Sequence, residues 1–263
     1  MTGTTAEYAR LDPLRTRIET HRRYSERPDD VERAALDALV LRPGEALLDI
    51  GCGTGSFLAG LGAAGHTGPL TGLDYSPAAA RACAEAPGVR AVVGDAVRLP
   101  FPDGTFEAVT ARHMLYHVSD VRAALREAHR VLRPGGRFLA LVNRPDPVPG
   151  LHGLVRAEAA RHGVRPTAPA DNGVHWSSLP GLIGEVFGAV LTVRQENALV
   201  FPDPAPAVTF ALALLGLHGV PAGAAQHAAV AAGVTAQIEA WFAAEGGPWR
   251  DPKGYAVLTA VRR

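Results

Sequence analysis

The segment ALLDIGCGTGSF, residues 46–57, constrains this chain more than any other. Ala46 to Ile50 reads as a buried strand running into a turn with glycines at Gly51, Gly53 and Gly55, and a helix follows. Glycines at such a turn let the backbone take positive φ and let a ligand approach closely. The start of the helix offers free N–H groups and a positive dipole end to an anion. The next strand closes on LTGLDYSP, which sets Asp74 roughly 20 residues past the turn, a place from which a carboxylate accepts both hydroxyls of a ribose. Together these features describe an α/β pocket for an adenosine-bearing cofactor.

Spacing narrows the choice of cofactor. A dinucleotide fingerprint runs G-x-G-x-x-G, whereas this turn runs G-x-G-x-G, with Asp49 two residues before its first glycine. A buried carboxylate there repels a pyrophosphate and suits a cationic amino group. No Tyr-x-x-x-Lys pair is evident either, which further disfavours an NAD(P)-dependent oxidoreductase. S-adenosylmethionine carries an amine, a carboxylate, a ribose and a sulfonium, but no phosphate. At these residues the sequence resembles the class I S-adenosylmethionine-dependent methyltransferases, in particular the small-molecule branch with the ubiquinone/menaquinone-type and antibiotic-pathway enzymes.

The downstream pieces carry the resemblance from about residue 20 to 145. VRAVVGDAVRLPFPDGTFEAVTARHMLYHV holds a third strand ending at Asp95, a Pro-Asp-Gly turn, and a fourth strand from about Phe106 to Ala111. ALREAHRVLRPGGRFLALVN reads as a helix ended at Pro134-Gly135-Gly136 and a fifth strand, Arg137 to Asn143. The resemblance implies a Rossmann-like, doubly wound seven-stranded sheet, mostly parallel with an antiparallel last strand, plus helical lid insertions. It implies S-adenosyl-L-methionine as cofactor and S-adenosyl-L-homocysteine as product. It carries cofactor contact onto Tyr24, Asp49, Gly51, Cys52, Gly53, Gly55, Asp74, Tyr75, Asp95, Ala96, Arg112 and His113, with Asp95 and Ala96 at the adenine and Arg112 and His113 beside the methionine portion.

Composition excludes several classes. Lys plus Arg and Asp plus Glu number 26 each, so no net charge draws the chain to nucleic acid or to an anionic membrane. No apolar run approaches the roughly 20 residues that span a bilayer, and the N-terminus lacks the apolar segment of a signal peptide. Two cysteines, Cys52 and Cys83, do not make a disulfide framework, and a cytoplasmic location is the default expectation. One structural domain is expected, assembled as a monomer or homodimer. It comprises an N-terminal helical cap (1–44), a cofactor-binding core (45–144), and the rest of the sheet with lid insertions at 145–180 and 202–248 (145–263). The segment 8–40 reads as helical, with an Asp N-cap before VERAALDAL.

The histidines fall into three groups. His113 and His117, with Tyr116, follow the fourth strand at the carboxyl edge of the sheet, where open α/β sheets bind ligands. Either histidine could act as general base, with a pKa near neutrality suited to deprotonating a hydroxyl or an activated carbon. His152, His162 and His175 sit in the first lid insertion and, with Tyr116, Trp176, Phe210 and Trp241, are the expected lining of the acceptor pocket; Phe210 and Trp241 alternatively pack the inserted helices. His66, His129, His218 and His227 read as surface or helix-face residues. His113 and His117 are four apart, but no third ligand of suitable spacing accompanies them, so no metal is expected. The expected reaction moves a sulfonium methyl to a nitrogen, oxygen or carbon of a small molecule. The alternative is a protein that binds the cofactor without transferring its methyl.

Overall fold

The computed structural model describes residues 11–165 and 173–263. The chain divides into two compact units. The described residues of one, the sheet unit, fall within Asp30–Pro145, Asp171–Gln195 and Tyr255–Arg263. Those of the other, the helical unit, fall within Met1–Asp29, Asp146–Ala170 and Glu196–Gly254.

Seven strands form one sheet: β1 (Leu47–Ile50), β2 (Leu70–Asp74), β3 (Val89–Val93), β4 (Phe106–Arg112), β5 (Leu132–Asn143), β6 (Val190–Phe201) and β7 (Trp249–Val261). Their order is β3-β2-β1-β4-β5-β7-β6. The pairs from β3 through to β5 are parallel, and β7 runs antiparallel to β5. This is the doubly wound, mostly parallel sheet expected. From β1 the chain winds outward one way through β2 to β3 and the other way through β4 to β5, so the order reverses between β1 and β4. In open α/β sheets the ligand crevice lies at that reversal, beyond the carboxyl ends of the strands.

Alternation along the strands divides the sheet unit's core into two layers, because successive side chains point to opposite faces. Leu48, Ile50, Val109, Ala111, Phe138, Ala140, Ala256 and Leu258 share one layer with α5 (Val121–Val131) and α7 (Leu179–Phe187). Leu47, Ala108, Leu139, Leu141, Tyr255 and Val257 share the other with α2 (Val31–Leu39), α3 (Ser56–Ala63) and α4 (Pro77–Ala84). Burial on both faces explains why LLDI is apolar at every position but Asp49. Asp30 caps α2 by accepting the Arg33 amide at 2.8 Å. Of the expected helical stretch 8–40, residues 8–10 lie outside the described residues, and the rest holds two helices, α1 (Leu11–Tyr24) and α2, because Ser25 leaves the helix to bridge Leu199 of β6.

The helical unit packs α1, α6 (Pro149–Arg161), α8 (Pro204–Leu212) and α9 (His227–Glu245) around Leu151, Val155, Phe201, Phe210, Leu214, Val234 and Ile238. At the start of α6, Val148 offers no capping side chain. The buried Asp251 carboxylate does that work instead, accepting the Gly150 and Leu151 amides at 3.0 and 2.8 Å. Among the described residues no helix is long and apolar enough to cross a membrane.

Candidate functional site

The turn after β1 is held in a left-handed conformation by all three glycines, with φ of 70° at Gly51, 56° at Gly53 and 77° at Gly55. They serve different needs. A Cβ on Gly51 would lie 2.6 Å from Met114 Cβ, and one on Gly55 would lie 2.9 Å from Cys83 Cα, so both glycines permit packing. A Cβ on Gly53 would meet nothing within 4 Å, which leaves the turn open to a ligand there. Asp74, at the end of β2, is tied to the same point: Gly53 N–H donates to its Oδ2 and Ser76 N–H to its Oδ1, both at 2.9 Å. Each carboxylate oxygen then retains a lone pair for a further donor.

Asp49 is wholly buried beneath the turn. The parallel register sets it beside Thr110, whose hydroxyl donates to Oδ1 at 2.7 Å. Arg112, two residues further along β4 and so on the same face, donates from Nε at 3.3 Å and from Nη2 at 2.8 Å. Its guanidinium also lies 3.9 Å from the centre of the Phe57 ring. The sequence reading assigned the cation at Asp49 to a ligand amine; the protein supplies a guanidinium of its own. Neither Thr110 nor this pairing was anticipated.

The remaining cofactor candidates also belong to the sheet unit, except Tyr24. Tyr75 is 65% exposed directly after Asp74. Asp95 follows β3, exposed, and accepts the Val97 amide at 3.1 Å, while Ala96 is buried. The Cys52 thiol is buried, and a Cβ on Gly72 would lie 2.7 Å from both its sulfur and that of Cys83. Burial pushes the pKa of both thiols up, which removes them from nucleophilic chemistry. His113 holds an unusual φ of 50°, fixed by its amide donating to Leu141 O at 2.8 Å. His117 lies on the 3-10 turn Leu115–His117, with the Tyr116 ring 4.5 Å away, centre to centre. Tyr24 is in the helical unit, against Phe201.

The expected acceptor lining divides between the units. His175 and Trp176 belong to the sheet unit, where the Trp176 amide donates to Asn143 O at 3.1 Å and its ring, 8% exposed, lies near Arg144 and Arg194. His152, Phe210 and Trp241 belong to the helical unit. Phe210 is 1% exposed and fills that unit's core between His21 and Phe201. Trp241 stacks at a tilt on Trp249. His218, read from sequence as a surface or helix-face residue, lies on a 3-10 turn, wholly buried and bonded to His152. The run LLGLHGV gives the reason: its apolar neighbours carry the ring inward. No three described His, Cys, Asp or Glu side chains form a group able to hold a metal.

The residues fit an adenosylated amino acid. The open Gly53 turn admits a close ligand, and the two-oxygen acceptor at Asp74 matches a diol. Residues 48–140 match the family model described as a methyltransferase domain. A demethylmenaquinone methyltransferase of Deinococcus radiodurans is 35% identical over 176 residues, which are 65% of this chain and 67% of that protein. Two solved structures share the fold: a candidate methyltransferase from an antibiotic biosynthesis pathway of Anabaena variabilis (TM-score 0.61, 16% identity, 88% of this chain and 96% of that one) and the [4+2]-cyclase SpnF (TM-score 0.56, 19% identity, 99% and 95%). The sheet and its glycine turn thus define a Rossmann-like nucleoside-cofactor protein. The chain belongs to the class I S-adenosylmethionine-dependent methyltransferase family, of the small-molecule type, with S-adenosylmethionine as its cofactor. It spans 33 to 58% of the length of four other curated relatives that it matches.

Proposed function

We propose that this chain transfers the sulfonium methyl of S-adenosylmethionine to a nitrogen, oxygen or carbon atom of a small molecule, in secondary metabolism such as antibiotic biosynthesis, in the cytoplasm. The observation that carries the reading is the joint geometry of Gly53 and Asp74: an open glycine turn with a carboxylate hydrogen-bonded to it at 2.9 Å.

The bound cofactor supplies an electrophilic methyl and a neutral thioether leaving group, so the protein is left with positioning, water exclusion and one proton. Asp74 binds the ribose hydroxyls, Asp95 and Ala96 the adenine, and Tyr75 lies against its face. Arg112, already neutralised in part by Asp49, binds the cofactor carboxylate. Gly51, Cys52, Gly53 and Gly55 contribute backbone rather than side chains. His117, exposed at the carboxyl edge of β4, takes the acceptor proton. Tyr116, His175 and Trp176 line the acceptor side within the sheet unit.

The test is calorimetry with S-adenosylhomocysteine and with NAD, followed by a panel of aromatic amines, phenols and activated carbon acids, scored by S-adenosylhomocysteine release. Binding of the first ligand alone and turnover of one acceptor class are expected. Binding without turnover of any class would support the non-catalytic alternative. NAD binding in its place would overturn the reading.

A further inference from the structure

Helix α5 carries three arginines, and the sheet unit answers two of them. Arg122 donates to both oxygens of Glu185 on α7, at 2.6 and 2.9 Å. Arg130 is held by Asp103 and Glu127, each at 2.8 Å. Arg126, exposed and one turn after Arg122, has no hydrogen bond or ion pair among the described residues. That unanswered guanidinium lines a cavity of about 410 Å³ between α5 and α7, together with Arg122, His129, Glu185 and Val186. All five residues belong to the sheet unit, and none is among the cofactor or acceptor residues named above. The volume lies within the range of roughly 300–1,000 Å³ that small-molecule sites occupy.

Helical spacing sets Arg122, Arg126 and His129 along one face of α5, at i, i+4 and i+7. The His129 ring is fixed by an edge contact with Phe187, 5.0 Å centre to centre, and Phe187 is stacked in turn on Phe138. Neither ring nitrogen of His129 has a hydrogen-bond partner among the described residues. Burial and the charge of Arg262 hold its pKa below the ordinary value, so the ring is neutral and keeps one N–H to donate. The charged neighbours are otherwise engaged. Arg262 donates to the carbonyls of Arg130 and Leu132, and Asp120 caps α5 by accepting the Ala123 amide.

These groups select a ligand. A guanidinium is a planar fork that binds a carboxylate through two parallel hydrogen bonds. Arg122 and Glu185 neutralise each other, so the cavity is left with the single positive charge of Arg126, which matches a monoanion. A phosphate dianion would bring a second negative charge toward Glu185. Val186, half-buried on the α7 side, offers apolar surface beside the charge. We infer that this cavity binds a small monocarboxylic acid with an apolar body, its carboxylate on Arg126 and the His129 N–H and its body against Val186. The inference does not rest on the function proposed above.

The test uses the full chain, labelled with 13C and 15N, with and without S-adenosylhomocysteine, and benzoate and benzamide as probes. Benzoate should shift the Arg126 Nε–H and His129 ring signals saturably and equally in both samples. Benzamide, lacking the charge, should bind roughly tenfold more weakly, and Arg126→Gln should weaken benzoate to a similar degree without changing thermal unfolding. Glu185→Gln removes the negative wall and should tighten benzoate. No saturable shift at Arg126, equal binding of the two probes, or unaltered benzoate affinity in Arg126→Gln would overturn the inference. So would loss of the response on adding S-adenosylhomocysteine, which would place benzoate in the cofactor site. Tighter binding of inorganic phosphate, or of an acetylated tetraglutamate peptide, would overturn the assignment to a small monocarboxylic acid. Should Arg126→Gln fail to fold, the mapped shifts and the probe series in the unaltered protein decide it.

Discussion

Gly53 and Asp74 are 21 residues apart in sequence and joined by one hydrogen bond, Gly53 N–H to Asp74 Oδ2 at 2.9 Å. The bond couples the open turn of β1 to the acid at the end of β2, and the Ser76 amide holds the second oxygen. Asp74→Ala removes a charged acceptor of two ribose hydroxyls and should weaken S-adenosylhomocysteine binding by roughly 2–4 kcal/mol. Asp74→Asn, with one acceptor oxygen left, should fall between. Titration calorimetry reads both, and unaltered affinity in a folded Asp74→Ala protein would contradict the placement.

Two of the turn glycines, Gly53 and Gly55, should separate by substitution to alanine. Each puts a side chain at positive φ, which costs about 1–2 kcal/mol. At Gly53 that strain is the whole cost, since a Cβ meets nothing within 4 Å. Gly53→Ala should therefore fold and lose cofactor affinity. Gly55→Ala adds a collision with the Cys83 backbone at 2.9 Å and should lose stability first. Thermal unfolding beside calorimetry distinguishes the two; the reverse ranking would show that the open side of the turn is not the ligand side.

Asp49 and Arg112 make the second linkage beneath the turn, with Arg112 14% exposed and Asp49 wholly buried. Arg112→Met leaves the Asp49 carboxylate with Thr110 alone, and breaking a buried pair from one side costs about 3–5 kcal/mol. Arg112→Met with Asp49→Asn should recover part of that loss. Urea unfolding of the single and double variants measures the coupling, and additive losses would mean that the pair contributes little.

Legibility in the sequence followed range. The β1 turn, Asp74 and the β4 edge were readable because their signals are local: glycine spacing, a strand-end acid, a Pro-Asp-Gly turn. The Asp49–Arg112 pair was not, since it forms across the β1–β4 register, where Asp49 stands beside Thr110. Residues 63 apart meet only once that sheet is assembled. The break between α1 and α2 was missed for a similar reason, because Ser25 is drawn out by Leu199 on β6. The burial of His218 was not legible because a polar ring in an apolar run looks exposed until a partner such as His152 exists for it. The identity of the acceptor depends on side chains from several insertions, and no spacing rule encodes it.

Gly233 and Glu158 give a test of the helical unit. A Cβ on Gly233 would lie 1.9 Å from Glu158 Oε1, and Glu158, although 6% exposed, holds Arg161, His162 and Gln237. Gly233→Ala should displace that carboxylate and destabilise the protein by about 1–3 kcal/mol, the cost of a buried group losing its partners. In the Glu158→Ala background the same substitution should be nearly neutral or stabilising, since the clash is gone and alanine favours a helix. Equal losses in both backgrounds would refute the contact.

Acid should weaken the helical unit before the carboxylates titrate. His21, His152 and His218 are held by burial at about 4, 3 and 4, against an ordinary value of 6.5. These are depressed values for bases, so between pH 6.5 and about 4 the unfolded chain binds protons that the folded chain refuses. Stability is then full above pH 6.5 and falls as the pH drops, by up to about 1.4 kcal/mol per pH unit for each histidine. His152 and His218 share one hydrogen bond, so their protonation is coupled and the joint slope lies below the sum. Urea midpoints at pH 7.5, 6.5, 5.5 and 4.5 should decline, and the imidazole 15N signals of all three should stay those of neutral rings down to pH 5. Protonation of His152 near pH 6.5 with no loss of stability would show that the pair is not buried as described.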